Sequence, residues 1–500
     1  MSIFKDKEKK VEAEAKERPK REMTAGVALL LFLMVCVAIG IQKAVFGGNM
    51  GAMFLMLWVI IIPIGMYYGY TSHEMERAAI NFATKSLSPV FVLLTAGALI
   101  ATWIAAGTTP AIIYYGIKLI HPSIFLVASM LLCSFVALLC GTSMGTVGTA
   151  GVALAGIGTS LGIPAPITAG AVICGAMFGD KMSPMSDTTI LASSIAEVNI
   201  FKHIRHMTLD QIPTYIFSLI FFLVIGFKYS GQIDPASTAE LMEGLTSNFK
   251  LGIAAFIPLL VTGVLLAKKQ SALLSMLCGA VAGIFVAIFY QGVGVADAFN
   301  IFYAGYSIDS ESEMMQTLFN RGGIADMWGL CGVTLFGFTV AGMLEHLMVI
   351  QKLADAMMKK VHNPVGITAM TIIFGFIGNA IAFSQNFAIV MTGTLMRPVY
   401  TKFNMQPKNC SRDLEAGGTY GALLIPWNVN TVFMAGALGV SSVSFIPYIP
   451  LIYLTPILVI CYAAFKFRLD KIYDDEGYVD VTERLAADPE RQKEISGLDA

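Results

Sequence analysis

The sequence specifies an all-α polytopic membrane protein, with about ten spans and two re-entrant helical hairpins arranged as an inverted repeat. Three observations carry this reading. Of 500 residues, 56% are hydrophobic and 13% are charged, where a soluble domain carries about 25% charge, and mean hydropathy is +0.70. Apolar runs of about 18 or more residues, each long enough to cross a bilayer, recur from Ala25 to Phe465. Landmarks of the first half return about 242 positions later, as Pro122 does at Pro364.

The composition excludes a soluble enzyme, a nucleic-acid partner and a secreted disulfide scaffold. It also excludes an outer-membrane barrel, whose strands would be about ten residues of alternating character. A net charge of -1 creates no field for a charged macromolecular partner. The cysteines are scattered without a CxxC pair, as small packing residues rather than metal or redox ligands. No cofactor is expected.

The elements follow in order. Residues 1–23 are charged, mixed in sign and without a cleavable signal pattern. Their lysines and arginines place them in the cytoplasm by the positive-inside rule. Spans are expected at 25–45, 51–70, 88–107, 166–196, 210–228, 251–267, 271–290, 326–348, 410–440 and 446–466. Three basic links fall inside: Lys202, His203, Arg205 and His206; Lys268 and Lys269; and Lys352, Lys359 and Lys360. The acidic stretch 291–325, with Asp297, Asp309, Glu311 and Glu313, falls outside. Residues 295–307 either span or lie at the interface, and Asp297 favours the interface. Residues 468–500 form a polar, acidic second cytoplasmic tail. An even number of spans then puts both termini on the inner side of the cytoplasmic membrane.

Two apolar stretches carry a polar break at their centre. The first, 123–161, breaks at Gly141-Thr142-Ser143-Met144-Gly145-Thr146, and the second, 365–402, breaks at Ser384-Gln385-Asn386. Irregular backbone is not tolerated against lipid, so each break is buried in protein or lines a cavity. Both read as hairpins that enter and return on one side.

The repeat divides the chain into 24–230, a linker and span at 231–265, and 266–467. His121-Pro122 meets Asn363-Pro364, and Thr142-Ser143 meets Ser384-Gln385. Gly175 meets Gly417, Gly179 meets Gly421, Pro184 meets Pro426 and Thr189 meets Thr431. The loop charges put Pro122 outside and Pro364 inside, so the copies are inverted. Inverted repeats with broken helices are the architecture of secondary transporters, with the site near the midplane. Plain duplication without transport is one alternative. A channel is another, but it needs a continuous polar path, and polarity here is concentrated in two breaks. No GxxxxGK[ST] motif is present, which disfavours ATP-driven pumping.

The densest polar cluster in any span is Gly179-Asp180-Lys181-Met182-Ser183-Pro184-Met185-Ser186-Asp187-Thr188-Thr189. Pro184 breaks the helical ladder and frees carbonyls. Hydroxyl and carboxylate oxygens are hard donors that suit a cation such as sodium. A carboxylate within the bilayer marks function. Asp180 stands next to Lys181, so a structural ion pair competes with an ion role. Asp187 has no basic neighbour and reads as the main ligand and proton acceptor, with Ser143 and Thr188 completing a sodium site. Burial disfavours the charged carboxylate; sodium stabilises it and a proton neutralises it. One site holding either ion gives exchange.

In the second half, Ile425-Pro426-Trp427-Asn428-Val429-Asn430-Thr431 has the break and the amides, with Val429 where Asp187 stands. Only the first half is therefore expected to supply the buried anion. Asn428, Asn430 and Thr431 complete a neutral shell or bind an organic substrate, and Trp427 either packs or walls it. From the hairpin tips, Thr142, Ser143 and Thr146 join the ion ligands, while Ser384, Gln385 and Asn386 join the substrate residues. Hydroxyls in membrane helices also bond their own backbone. Glu345 and His346 are either an interfacial pair or a proton relay. Asp326 opens its span as an N-terminal helix charge. Arg397 is expected to snorkel, and Arg412 and Glu415 to pair on one helix face.

The Gly179–Thr189 stretch and Leu424-Ile425-Pro426-Trp427-Asn428 resemble the two signatures of the NhaC-type sodium/proton antiporter family, within the ion transporter superfamily. The resemblance runs from about Thr24 to Phe467. It implies sodium efflux driven by the proton gradient. Some relatives instead couple sodium and protons to small carboxylates, as in malate–lactate exchange, or to amino acids. It further implies a homodimer with an elevator-like moving domain. Carried over, the ion site falls on Asp180, Ser183, Ser186, Asp187, Thr188 and Thr189. The stretch Asn428-Val429-Asn430-Thr431 departs from the pattern and leaves the substrate open.

Overall fold

The computed structural model describes residues 21–44, 50–119, 121–230, 235–268, 270–310, 312–358 and 363–496. Most of the expected N-terminal tail, together with Lys269, Glu311, Lys359 and Lys360, lies outside the described residues. Every regular element described is helical, with two isolated bridges, Tyr306 to Arg321 and Met405 to Lys471.

The chain opens with α1 (Ala25–Ala44), α2 (Met50–Tyr67), α3 (Ser72–Ala83), α4 (Leu87–Ala105) and α5 (Thr108–Leu119). Thr71 and Glu74 form a capping box at α3, Glu74 N–H donating to the Thr71 hydroxyl at 3.1 Å and Thr71 N–H to the Glu74 carboxylate at 2.7 Å. The first hairpin is α6 (Phe125–Cys140), α7 (Ser143–Thr146), a π-turn at Val147–Gly151 and α8 (Val152–Ser160). The first broken helix is α9 (Ala165–Lys181) and α10 (Asp187–Ile195). Then come α11 (Ile200–Ser230), α12 (Pro235–Asn248), α13 (Ile257–Ala267), α14 (Ala272–Val286), α15 (Val295–Ala304), α16 (Glu313–Phe319), α17 (Trp328–His346) and α18 (Val349–Met358). The second hairpin is α19 (Pro364–Ala382) and α20 (Gln385–Lys402). The second broken helix is α21 (Pro407–Leu414), a π-turn at Glu415–Thr419, α22 (Tyr420–Leu423) and α23 (Val429–Leu438). The chain closes with α24 (Pro450–Ala464), α25 (Thr482–Ala486) and α26 (Pro489–Ser496).

Among the described residues, eight helices are long and apolar enough to cross a membrane, or nine if the pair Ala239–Asn248 and Ile253–Ala267, bent by 94°, is one span. The ten expected spans do not map one to one. Each broken helix divides into pieces too short to cross alone, whereas the first arms of the hairpins, Pro122–Cys140 and Pro364–Ala382, are long enough. The ten residues of α15 rise about 15 Å, half the hydrocarbon thickness, so 295–307 is not a span. α11 begins at Ile200, so His203 and His206 lie inside a helix and buried, not in a loop.

Positions about 242 apart share backbone geometry. Gly141 (φ 64) and Phe383 (φ 61) both end a helix in the left-handed region. Thr142 and Ser384 follow in extended conformation and cap the next helix, accepting from Gly145 N–H at 3.2 Å and Phe387 N–H at 3.5 Å. Phe383 is strained there, at a cost on the order of 1–3 kcal/mol. Its carbonyl accepts from Val429 N–H at 3.1 Å, and its ring meets Phe54 edge-on at 4.9 Å.

One pair of close approaches also matches, Gly175 with Gly417, whereas a Cβ at Gly179 would run into the Ser134 carbonyl oxygen and its counterpart Gly421 has room. A Cβ at Gly175 would run into the Met130 carbonyl oxygen, and one at Gly417 would meet the Ile372 backbone at 2.6 Å. At Gly421 the nearest atom would be 3.4 Å away, ordinary contact. Gly175→Ala is therefore expected to lower thermal stability by about 1–3 kcal/mol through overpacking, with Gly421→Ala within about 0.5 kcal/mol of the parent. Melting of the purified variants checks this; equal midpoints would refute the steric account.

The start of the C-terminal tail is anchored. It docks on the 402–409 elbow between α20 and α21. Gln406 N–H donates to Asp470 O at 2.9 Å, Asn409 Nδ2 to the same oxygen at 2.8 Å, and Asn404 Nδ2 to Tyr473 O at 2.9 Å.

Candidate ion and substrate site

Asp180 closes α9 and is 2% exposed. Its Oδ2 accepts from Ser143 N–H at 3.0 Å, at the N-terminus of α7. The partial positive charge of a helix start favours a carboxylate there. The Ser143 and Ser186 hydroxyls face the same group. Its Oδ1 is buried and has no hydrogen-bond partner among the described residues. Tip and break thus meet as expected, but around Asp180.

Asp187 is exposed on the protein surface, which corrects its reading as the buried anion. It starts α10, its Oδ1 accepts from Thr188 N–H at 3.0 Å, and Asn386 Nδ2 approaches its Oδ2 at 3.5 Å. The first turn of α10 faces Asp187 outward, while Thr188 and Thr189 face in. Thr188 Oγ1 lies 3.0 Å from Ser186 Oγ, and Thr189 Oγ1 donates to Lys181 O at 3.1 Å across the break. Ser183 Oγ accepts from Met185 N–H at 3.3 Å, and Thr146 donates to Thr142 O at 2.9 Å within its own helix.

The second break has the same stitch: Thr431 Oγ1 donates to Ala422 O at 2.9 Å. Asn428 Nδ2 donates to Asn379 Oδ1 at 3.0 Å, and Asn428 Oδ1 accepts from Asn430 N–H at 3.1 Å. Asn379 in turn donates to Gly375 O and Gly418 O, tying hairpin to broken helix. Trp427 is half-buried and donates to Ala380 O at 3.0 Å, so it anchors the hairpin. Gln385 Oε1 is buried without a hydrogen-bond partner among the described residues. Glu345 and His346 stand apart from these groups. They line a separate groove of about 380 Å³ with Asn81 and Lys85, and the His346 ring lies 4.8 Å from that of Tyr70.

Two expected ion pairs are replaced. Asp180 does not pair with Lys181. Lys181 Nζ lies 3.7 Å from Glu415 Oε2, both side chains at 1% exposure or less, and 3.7 Å above the Tyr420 ring. Arg412 does not pair with Glu415. The π-turn that starts at Glu415 changes the helical register, and Arg412 Nε binds Asp413 Oδ1 at 2.8 Å instead. The second half therefore supplies buried anions after all. Arg397 pairs with Glu197.

A buried network went unread in the sequence. Tyr420 OH donates to Gln211 Oε1 at 2.5 Å, and Gln211 Nε2 to Asp210 Oδ2 at 2.7 Å. Asp413 Oδ2 accepts from Tyr400 at 2.6 Å and Thr368 at 2.9 Å. His203 Nδ1 lies 2.8 Å from Ser411 Oγ. The signal available was the polar run Asn409–Glu415 opening an apolar segment.

The first hairpin tip and the first break thus meet at one buried carboxylate, Asp180. The sequence profile of the Na+/H+ antiporter family matches residues 21–196 and 175–467. The chain belongs to the Na+/H+ antiporter family. It is 38% identical over 437 residues to the malate-2H(+)/Na(+)-lactate antiporter of Bacillus subtilis, covering 87% of this chain and 92% of that one. It is 33% identical over 444 residues to the Na(+)/H(+) antiporter NhaC of Alkalihalophilus pseudofirmus, covering 89% and 96%. It is also 33% identical over 450 residues to the arginine/ornithine antiporter ArcD of Halobacterium salinarum, covering 88% and 92%. This family member is a multi-pass membrane protein and an antiporter by kinship.

Proposed function

We propose that this antiporter exchanges sodium for protons across the cytoplasmic membrane, with both ions competing for Asp180. One observation carries the reading: a carboxylate 2% exposed, held by one backbone N–H, with its second oxygen unpartnered among the described residues. A bare proton or a sodium ion both satisfy that oxygen, and the Ser143 and Ser186 hydroxyls add neutral donors. Asp187, at the surface beside Asn386, attracts cations to the mouth of the site. The matched caps and the matched contacts of Gly175 and Gly417 support a duplicated unit, and the loop charges support its inversion in the membrane. Elevator-like movement of the hairpins and broken helices, in a homodimer with both termini in the cytoplasm, completes the reading.

A second reading adds a small carboxylate or an amino acid as cargo. The malate–lactate relative favours it, and so do the amides Gln385 and Asn386 in the hairpin whose Phe383 carbonyl accepts from Val429 N–H of the second break.

The test is proton flux in proteoliposomes loaded with a pH dye, with sodium added alone and then with malate, lactate or mixed amino acids. Dissipation of the pH gradient by sodium alone is expected. Silence until an organic compound is present would replace the first reading with the second.

A further inference from the structure

A cleft of about 700 Å³ opens between the start of α11, the start of α21 and the C-terminal segment. Its walls carry Lys202, Arg205, Lys408 and Arg468 against Asp470 and Glu494. Asp470 is spent on Lys408, with which it forms an ion pair. Lys202 and Arg205 make no ion pair among the described residues. The floor includes His206, 6% exposed, whose Nε2 lies 3.1 Å from Asn409 Oδ1.

The backbone keeps one of these cations in place. Lys466 (φ 53) and Arg468 (φ 52) are both left-handed, a conformation that residues with a Cβ rarely adopt. The strain is held because Arg468 O accepts from Arg412 Nη1 at 3.1 Å. Beside the cleft, Phe201, Phe465 and Phe467 are 67%, 82% and 52% exposed. Exposed apolar rings beside lysines and arginines at the ends of membrane helices sit at the boundary of acyl chains and headgroups, the rings in the apolar layer and the cations at the phosphates.

We propose that this cleft binds a phosphate-bearing anion, and that the occupant is the headgroup of an anionic phospholipid. Arginine forks match phosphate oxygens in pairs and lysine adds a point charge; Glu494 is paired with Arg491, and Lys202, Arg205 and Arg468 make no ion pair among the described residues. The aromatic rim places that phosphate at the depth of a lipid headgroup rather than in bulk water.

The test uses the full-length protein in detergent and reads thermal stabilisation as ligand is titrated. The ligands are phosphatidylglycerol, phosphatidylcholine and inorganic phosphate. Two basic residues at an anionic surface are each worth about fivefold in affinity. The double variant Lys202→Gln/Arg205→Gln is therefore expected to weaken phosphatidylglycerol binding about thirtyfold, with Lys118→Gln/Lys250→Gln unchanged. All four side chains are exposed, so the variants keep the fold. Inorganic phosphate stabilising as well as the lipid, with the same loss in the double variant, would keep the site and assign it to a soluble anion. Equal phosphatidylglycerol affinity in parent and double variant, or equal stabilisation by phosphatidylcholine, would overturn the proposal.

Discussion

Asp180→Asn is expected to abolish sodium-dependent proton movement while leaving a folded protein. Asparagine keeps the shape and the Oδ1 that can accept from Ser143 N–H, so the contact between tip and break survives. What disappears is the charge. Removing one member of a buried charge pair costs at least about 3 kcal/mol, which is about a hundredfold in ion affinity. Asp187→Asn removes a surface charge and is expected to cost about tenfold or less. Flux in proteoliposomes checks both, with circular dichroism as the folding control. Wild-type flux in Asp180→Asn would move the ion site elsewhere, and a greater loss in Asp187→Asn would restore the surface aspartate as main ligand.

The second large effect concerns Lys181 and Glu415. Each is fully buried, on different halves of the chain, and each is the other's ion-pair partner. A lone buried charge is far costlier than a buried pair. Lys181→Met or Glu415→Leu alone is expected to destabilise by about 3–5 kcal/mol. The double variant Lys181→Met/Glu415→Leu is expected to recover most of that loss, because apolar replacements of a buried pair are often near neutral. Melting temperatures of the four proteins close the cycle. Additive losses would show that the two side chains do not support each other.

Much of the architecture was legible because it is written locally. Pro184 and Pro426 interrupt apolar runs, Gly141 permits the left-handed cap, and Thr142 and Ser384 are capping residues by type. Partners that are distant in sequence were not legible. Lys181 reads as a neighbour of Asp180 until the fold brings Glu415 to it. Which aspartate is buried depends on how the first turn of α10 faces its neighbours, and no local pattern states that. The early start of α11 did leave a mark: Asn199 Oδ1 accepts from Phe201 N–H at 2.9 Å, a cap placed just before the basic residues. The hold on the C-terminal segment was not legible because it rests on amides of Asn404, Gln406 and Asn409 and on a few scattered buried apolar residues, Leu469, Ile472 and Val481, that show no regular period.

That attachment has a mechanical meaning. The elbow at 402–409 joins the second hairpin to the second broken helix, and the C-terminal segment is sewn to it by backbone carbonyls of Asp470, Lys471 and Tyr473. Any displacement of that elbow during turnover drags the segment with it, like a pointer fixed to a hidden gear. A fluorophore on an exposed residue such as Glu483 would read the working cycle from the water, without touching the membrane interior.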